Sequence, residues 1–224
     1  MNMEEYIKGL PKGAVRARRD GTYTVVPRMR LGQMDAELLE AVSRAVRENG
    51  LAGVRLAASQ RLMIDNVPAS ALRAVVTAVG LVGDAYAHKV QGCQGAAGCK
   101  LGQQDSLAAA DRLERMLVDF SLPAKLKTGV SGCPMCCAES LVRDVGLFGR
   151  KHGWTVSFGG NGGKRVRGGD ILAENVSEEE AFYIIRRALV FYAEHGKVKE
   201  RTARFVERVG LDAVRLAVFS EPQA

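Results

Sequence analysis

The sequence predicts an α+β protein, and three observations carry that expectation. About the first 80 residues alternate β-prone runs with amphipathic helices in the order βαββα. The remainder mixes short apolar runs with longer helical stretches opened by clear caps. Between these patterns lies a Gly- and Cys-rich stretch, residues 81–104, that fits neither period.

In chain order, residues 22–27 read as a strand, and Asp35 caps a helix whose apolar face is Leu38, Leu39, Val42, Ala45 and Val46, ended by Gly50. Residues 53–57 and 61–65 are two short strands. Pro68 starts a second helix with Leu72, Val75, Val76 and Val79 on one side. This order suggests a ferredoxin-like half-domain over residues 1–82. In the second domain, residues 83–224, the expected elements begin with a helix from Asp105 to Phe120, a strand from Lys125 to Val130 and a helix from Ala138 to Val145. A strand from Thr155 to Phe158 then enters the turn Gly159-Gly160-Asn161-Gly162-Gly163. Ser177 and Glu180 form a capping-box pattern for a helix to about His195. The tail from Lys197 to about Val218 is expected to be helical, with a basic, solvated side.

The chain has 224 residues, 47% hydrophobic and 25% charged, so a sizeable core is expected. No apolar run approaches the roughly 18 residues of a membrane span. The amino terminus, MNMEEYIKGL, has acids where an export signal needs a basic and then an apolar region, so a cytoplasmic location and no membrane partner are expected. A net charge of +7 favours anionic partners. Nucleic acid is a poor choice among them: aromatics are 6% of the chain, and no stacking cluster is present.

All five cysteines lie between residues 93 and 137, an odd count that makes a disulfide framework a poor reading and points to a metal. Cys93 and Cys99 form one pair, Cys133 and Cys137 the other, and Cys136 is left over. Four thiolates on two loops can close around one tetrahedral ion or one iron–sulfur cubane. The wide spacings and the flanking Gly92, Gly95, Gly98 and Gly132 suit the bulkier object.

The stretches Gln91–Ser106 and Ser131–Gly149 resemble the two cysteine motifs of the sirohaem-containing nitrite and sulfite reductases. The likeness continues through Gly159–Gly163 and Lys199–Gly210, and is closest to short, single-repeat sulfite reductases. The resemblance implies a mixed α/β second domain in which Cys93, Cys99, Cys133 and Cys137 hold a 4Fe-4S cluster, with Cys137 bridging to sirohaem. It implies reduction of sulfite to sulfide, with nitrite reduction or a non-catalytic electron carrier as alternatives. Lys125 and Lys127 match the family's paired lysines, and Arg61 the arginine in the nitrite-reductase and short-sulfite-reductase version of its first motif. His88 stands where relatives place an arginine, and is expected to donate protons. Ala57 departs from a threonine found in many relatives. Asn161, Gly162, Lys164, Arg165 and Arg167 are expected to receive sirohaem carboxylates. No nucleotide or flavin fingerprint is visible, so electrons are expected from an external ferredoxin or flavoprotein. Longer relatives carry two copies of this unit, so one copy here implies a homodimer.

Overall fold

The computed structural model describes residues 2–220, and the chain divides into two units, Met1–Tyr86 and Ala87–Ala224. The first unit opens with α1 (Met3–Lys8), held by a capping box in which Asn2 Oδ1 accepts from the Glu5 amide at 2.8 Å. Next come β1 (Val15–Ala17), β2 (Tyr23–Val25), α2 (Ala36–Glu48), β3 (Val54–Ala57), β4 (Arg61–Val67) and α3 (Leu72–Val79). The four strands form one antiparallel sheet in the order β1-β2-β4-β3. Its core is Val25, Ile64 and Val67 from the strands against Ala45 of α2 and Leu72 and Val75 of α3, all 0% exposed. Asp35 caps α2 as expected, its Oδ1 accepting from the Leu38 amide at 2.8 Å.

The second unit contains β5 (Lys89–Gly92), the one-turn α4 (Gly95–Gly98), α5 (Ser106–Leu117), β6 (Lys127–Ser131), β7 (Val145–Arg150), β8 (Gly153–Phe158), β9 (Asp170–Val176), α6 (Glu178–His195), α7 (Thr202–Val209) and α8 (Leu211–Phe219). One five-stranded sheet runs in sequence order. It is parallel across β5, β6 and β7, and antiparallel across β7, β8 and β9. α5 packs on β5 and β6, while α6 packs on β8 and β9. Arg112 of α5 joins the two helices, stacking 4.2 Å from the Phe182 ring and pairing with Glu178 and Glu179.

The helix expected from Ala138 to Val145 is not formed. A turn and a short 3-10 stretch, Ser140–Val142, run into β7 instead. The register explains why. Gln91, Gly129, Gly146 and Ser157 are successive partners across β5, β6, β7 and β8, and residues 133–143 run back over that row. A Cβ on Gly129 would lie 2.4 Å from the Ala138 carbonyl, and one on Gly146 would lie 2.0 Å from the Ser140 carbonyl. Two facing glycines therefore let a loop lie flush on the sheet. Ser131, Ser140 and Ser157, all buried, satisfy its polar groups. The expected basic tail is two helices, divided at Gly210, whose φ of +88° suits glycine.

Candidate metal and anion site

β5 and β6 are parallel neighbours, so the residues following each emerge at the same end of the sheet. Cys93 follows Gly92, the last residue of β5, and Cys133 follows Ser131 of β6 by two residues. The Cys93 amide donates to the Val130 carbonyl at 3.1 Å, and the Gly132 amide donates to Cys93 Sγ at 3.1 Å. Buried Ser106 at the start of α5 braces the same residue, its hydroxyl donating to the Cys93 carbonyl at 2.7 Å and lying 3.2 Å from the sulfur. Gly92 leaves room for α5, since a Cβ there would sit 3.1 Å from Ala110 Cβ.

The two cysteine loops interlock through glycines. A Cβ on Gly132 would lie 2.5 Å from Gly95 Cα, and one on Gly102 would lie 2.4 Å from the Gly95 carbonyl carbon. The Gly132 carbonyl accepts from the Gln103 and Gln104 amides at 2.7 and 3.0 Å, tying the loop of Cys133 to the loop of Cys99. Cys99 is positioned by its amide, which donates to the Gly95 carbonyl at 2.9 Å. Cys93 and Cys99 are half-buried, Cys133 is buried and Cys137 is exposed. Cys136 sits at φ +51°, its amide closing a turn to the Cys133 carbonyl, and burial pushes its thiol pKa up. Among the described residues, no three His, Cys, Asp or Glu side chains are grouped as ligands of a single ion. Four thiols on two backbone-locked loops, with an amide already aimed at one sulfur, fit a cluster better than a lone ion.

Lys125 and Lys127 stand at the other end of β6. Buried Leu126 lies between them and points into the core, so the lysines share the opposite side. Lys127 pairs in register with Lys89 of β5. The start of β6 is fixed by Asp144, which is 0% exposed. Its carboxylate accepts from the Lys127 amide at 2.7 Å, from Arg201 Nε at 2.8 Å and from the Thr202 hydroxyl at 2.7 Å. Four residue steps from Lys127 to Ser131 span about 13 Å, which separates the lysines from the cysteines that follow the strand. β8 runs antiparallel to β7, so the turn after Phe158 lies at the lysine end.

His88, the expected proton donor, is buried among backbone groups. It is 8% exposed, its Nε2 faces the Phe120 carbonyl at 3.3 Å, and its Nδ1 accepts from the Leu126 amide at 3.2 Å. Both nitrogens serve the backbone, and burial holds the pKa below the usual imidazole value. The ring is thus held between the backbone of Phe120 and that of Leu126. Asn161 and Arg167 are also committed locally: Asn161 Nδ2 donates to the Arg165 carbonyl at 2.6 Å, while Arg167 donates to the Gly159 carbonyl at 2.8 Å and to Asp170 at 2.6 Å. They shape the hairpin. Gly162 and Lys164 are exposed on it, as is Arg165, which pairs loosely with Glu207 at 3.3 Å. Arg61, in the first unit, pairs with Asp84.

Sequence reasoning missed Asp144 and Arg143. Arg143 pairs with Glu139 at 2.6 Å and hydrogen-bonds Gln91, and it lies over Gly129 with Nε buried and unpartnered. Both follow from the return loop, which the helical reading hid.

Residues 85–223 match the family described as the nitrite and sulphite reductase 4Fe-4S domain, and residues 16–81 match the nitrite/sulfite reductase ferredoxin-like half domain. The chain is 41% identical over 212 residues to an assimilatory-type sulfite reductase of Nitratidesulfovibrio vulgaris, covering 93% of this chain and 97% of that protein. It is 35% identical over 210 residues to a nitrite reductase [NAD(P)H] of Bacillus subtilis, covering 92% of this chain and 26% of that one. The solved NirA protein of Mycobacterium tuberculosis superposes with a TM-score of 0.75 at 25% identity, over 91% of this chain and 41% of that one.

Proposed function

Since the chain belongs to the nitrite and sulfite reductase family, we propose that it reduces sulfite to sulfide, with reduction of nitrite to ammonia as the second reading. The preference for sulfite rests on the similarity, over nearly its whole length, to the assimilatory-type sulfite reductase of N. vulgaris. The observation that carries the cofactor reading is the interlocked pair of cysteine loops at the carboxyl ends of β5 and β6. Cys93, Cys99, Cys133 and Cys137 would hold a 4Fe-4S cluster, and Lys164 and Arg165, with the backbone at Gly162, would meet carboxylates of a sirohaem. The cluster and sirohaem supply the electron-transfer and substrate-reducing chemistry. The protein's part is to aim thiolates, exclude water and surround an oxyanion with cations. Lys125, Lys127 and Arg61 are the proposed cations, and the paired lysines on one side of a strand suit a single sulfite or nitrite. Electrons would come from a separate ferredoxin or flavoprotein, and the setting would be cytoplasmic.

The separation of lysines from cysteines along β6 supports a homodimer in which each active centre draws its lysines from the partner. Mixing tests this. Lys127→Met and Cys133→Ser chains are each expected to be inactive with reduced viologen and sulfite. Co-assembled, they should recover activity, because one of the two centres is then complete. Activity absent from the mixture, or a monomer active at every dilution, would overturn the shared centre. The cofactor reading is tested by an anaerobic absorption spectrum with iron and acid-labile sulfide analysis. A colourless protein with one zinc per chain would sink it.

A further inference from the structure

Both backbone groups of Lys127 are held by one residue. The Lys127 amide donates to Asp144 Oδ2 at 2.7 Å, and the Asp144 amide donates to the Lys127 carbonyl at 2.9 Å. Asp144 reaches two further elements. Its Oδ1 accepts from Arg201 Nε at 2.8 Å and from the Thr202 hydroxyl at 2.7 Å, at the start of α7. Its carbonyl accepts from the Gly159 amide at 2.9 Å, in the Gly-rich turn after β8. The residue before Lys127 is held as well: the Leu126 amide donates to His88 Nδ1 at 3.2 Å, and the Leu126 carbonyl accepts from the Lys89 amide at 3.0 Å. Lys127 itself is exposed, so the clamp fixes the backbone from which its side chain projects.

Asp144 is 0% exposed. A buried carboxylate is costly, and pairing it with an arginine offsets that cost without making it better for stability than an apolar residue. The start of a strand needs only backbone partners. What the carboxylate adds is direction: it fixes one lysine against the Gly-rich turn and α7. We propose that Asp144 is a positioning residue for oxyanion binding, aiming Lys127 at sulfite or nitrite while touching neither. This deepens the function proposed above and rests on it for Lys127 as a substrate-binding cation. Without the clamp, Lys127 keeps its charge, but its backbone and side chain must be ordered when the substrate binds, which weakens binding.

The test uses the holoprotein, purified anaerobically from cells supplied with sirohaem. It compares wild type with Asp144→Asn, Thr202→Val, Lys127→Met and the double variant of Asp144→Asn with Lys127→Met. An amide in place of the carboxylate turns an NH2 group toward donors, either the Lys127 amide or Arg201 Nε and Thr202. Thr202→Val removes one contact of Asp144 but leaves the Lys127 clamp, so it controls for stability alone. Sulfite Kd is read from the shift of the sirohaem bands on titration, and order at Lys127 from hydrogen–deuterium exchange of its amide. Lys127→Met should raise sulfite Kd about tenfold or more, and Asp144→Asn about threefold or more, with Thr202→Val within about twofold of wild type. In the double variant Asp144→Asn should add nothing, because it acts through the side chain already removed. A Kd within about twofold of wild type in Asp144→Asn, or an effect that persists in full on the Lys127→Met background, would overturn the proposal. If Asp144→Asn does not fold, Asp144→Glu decides by the same criteria, since it keeps the charge for Arg201 but moves the oxygens away by one carbon. Should Lys127→Met leave sulfite Kd unchanged, or wild type carry no sirohaem, the functional reading fails, and amide exchange decides the positioning role separately. Exchange at Lys127 about tenfold faster in Asp144→Asn, but not in Thr202→Val, supports it, and equal exchange in wild type and both variants removes it.

Discussion

Replacing Gly132 by alanine tests the cysteine cradle directly. The added methyl would stand 2.5 Å from Gly95 Cα, 2.8 Å from the Gln104 carbonyl and 3.3 Å from Ser106 Oγ. Carbon atoms pack at about 3.5–4.0 Å, so the loops must separate by about 1 Å, and the nearest atoms are backbone, which cannot rotate away. The same residue makes three hydrogen bonds: its carbonyl accepts from Gln103 and Gln104 at 2.7 and 3.0 Å, and its amide donates to Cys93 Sγ at 3.1 Å. Overpacking costs about 1–3 kcal/mol, and three weakened hydrogen bonds add about 0.5–1.5 kcal/mol each. A destabilisation of about 3–6 kcal/mol follows. Trp154, the single tryptophan and 2% exposed on β8, reports unfolding of this unit in urea. Gly168→Ala is the control, because a Cβ there meets nothing within 4 Å. The Gly132→Ala protein should unfold at much lower urea and lose acid-labile sulfide, while the control should keep both. Stoichiometric sulfide and a midpoint within about 1 kcal/mol of wild type would refute the cradle argument.

Asp144→Ala should destabilise the second unit by about 2–4 kcal/mol, since it strips partners from Arg201, Thr202 and the Lys127 amide. Asp144→Asn should cost less, and equal urea midpoints for the two would contradict that account. His88 has a folded pKa below its unfolded value because burial disfavours the imidazolium. Its contribution is therefore complete above the unfolded pKa of about 6.5 and is lost as pH falls through that value towards the folded pKa. Wild-type stability should drop between about pH 7 and 5.5 with a steeper slope than His88→Gln, and identical slopes would remove His88 as the cause. Cys136→Ser should retain labile iron and sulfide whereas Cys137→Ser should lose them, and equal loss would show that Cys136 serves the cluster.

The half-domain was readable because its signals are local. Val42 and Ala45 on one helix and Leu72, Val75, Val76 and Val79 on the next carry a 3.6-residue period, and all six are buried. β7 was not readable for the opposite reason. Ala138, Leu141, Val142 and Val145 carry a helical spacing, yet the choice between helix and strand is made by tertiary contact. The Gly129–Gly146 pair accepts the loop backbone at distances no Cβ allows, and nothing within residues 138–145 announces that their partner is a glycine on another strand.

The candidate site divides along the same line. The cysteines stand out in the sequence by spacing and flanking glycines, because a soft metal needs those residue types whatever the topology, and the fold brings their two loops side by side. The cations were not equally legible, because a basic side chain declares its charge and not its commitments. Composition gives Arg167, Lys164 and Arg165 one meaning, but only the fold commits the first to Gly159 and Asp170 and leaves the others exposed. His88 shows the same in reverse: a titratable ring beside a lysine reads as proton chemistry until both its nitrogens are found on backbone groups of Phe120 and Leu126. Even the direction of the strands matters. Lysines and cysteines close together in sequence look like one site, but parallel pairing sends both cysteine loops to one end of the sheet and leaves Lys125 and Lys127 at the other. In the proposed homodimer a second copy would bring cations and cluster together, and the mixed-chain experiment measures whether it does.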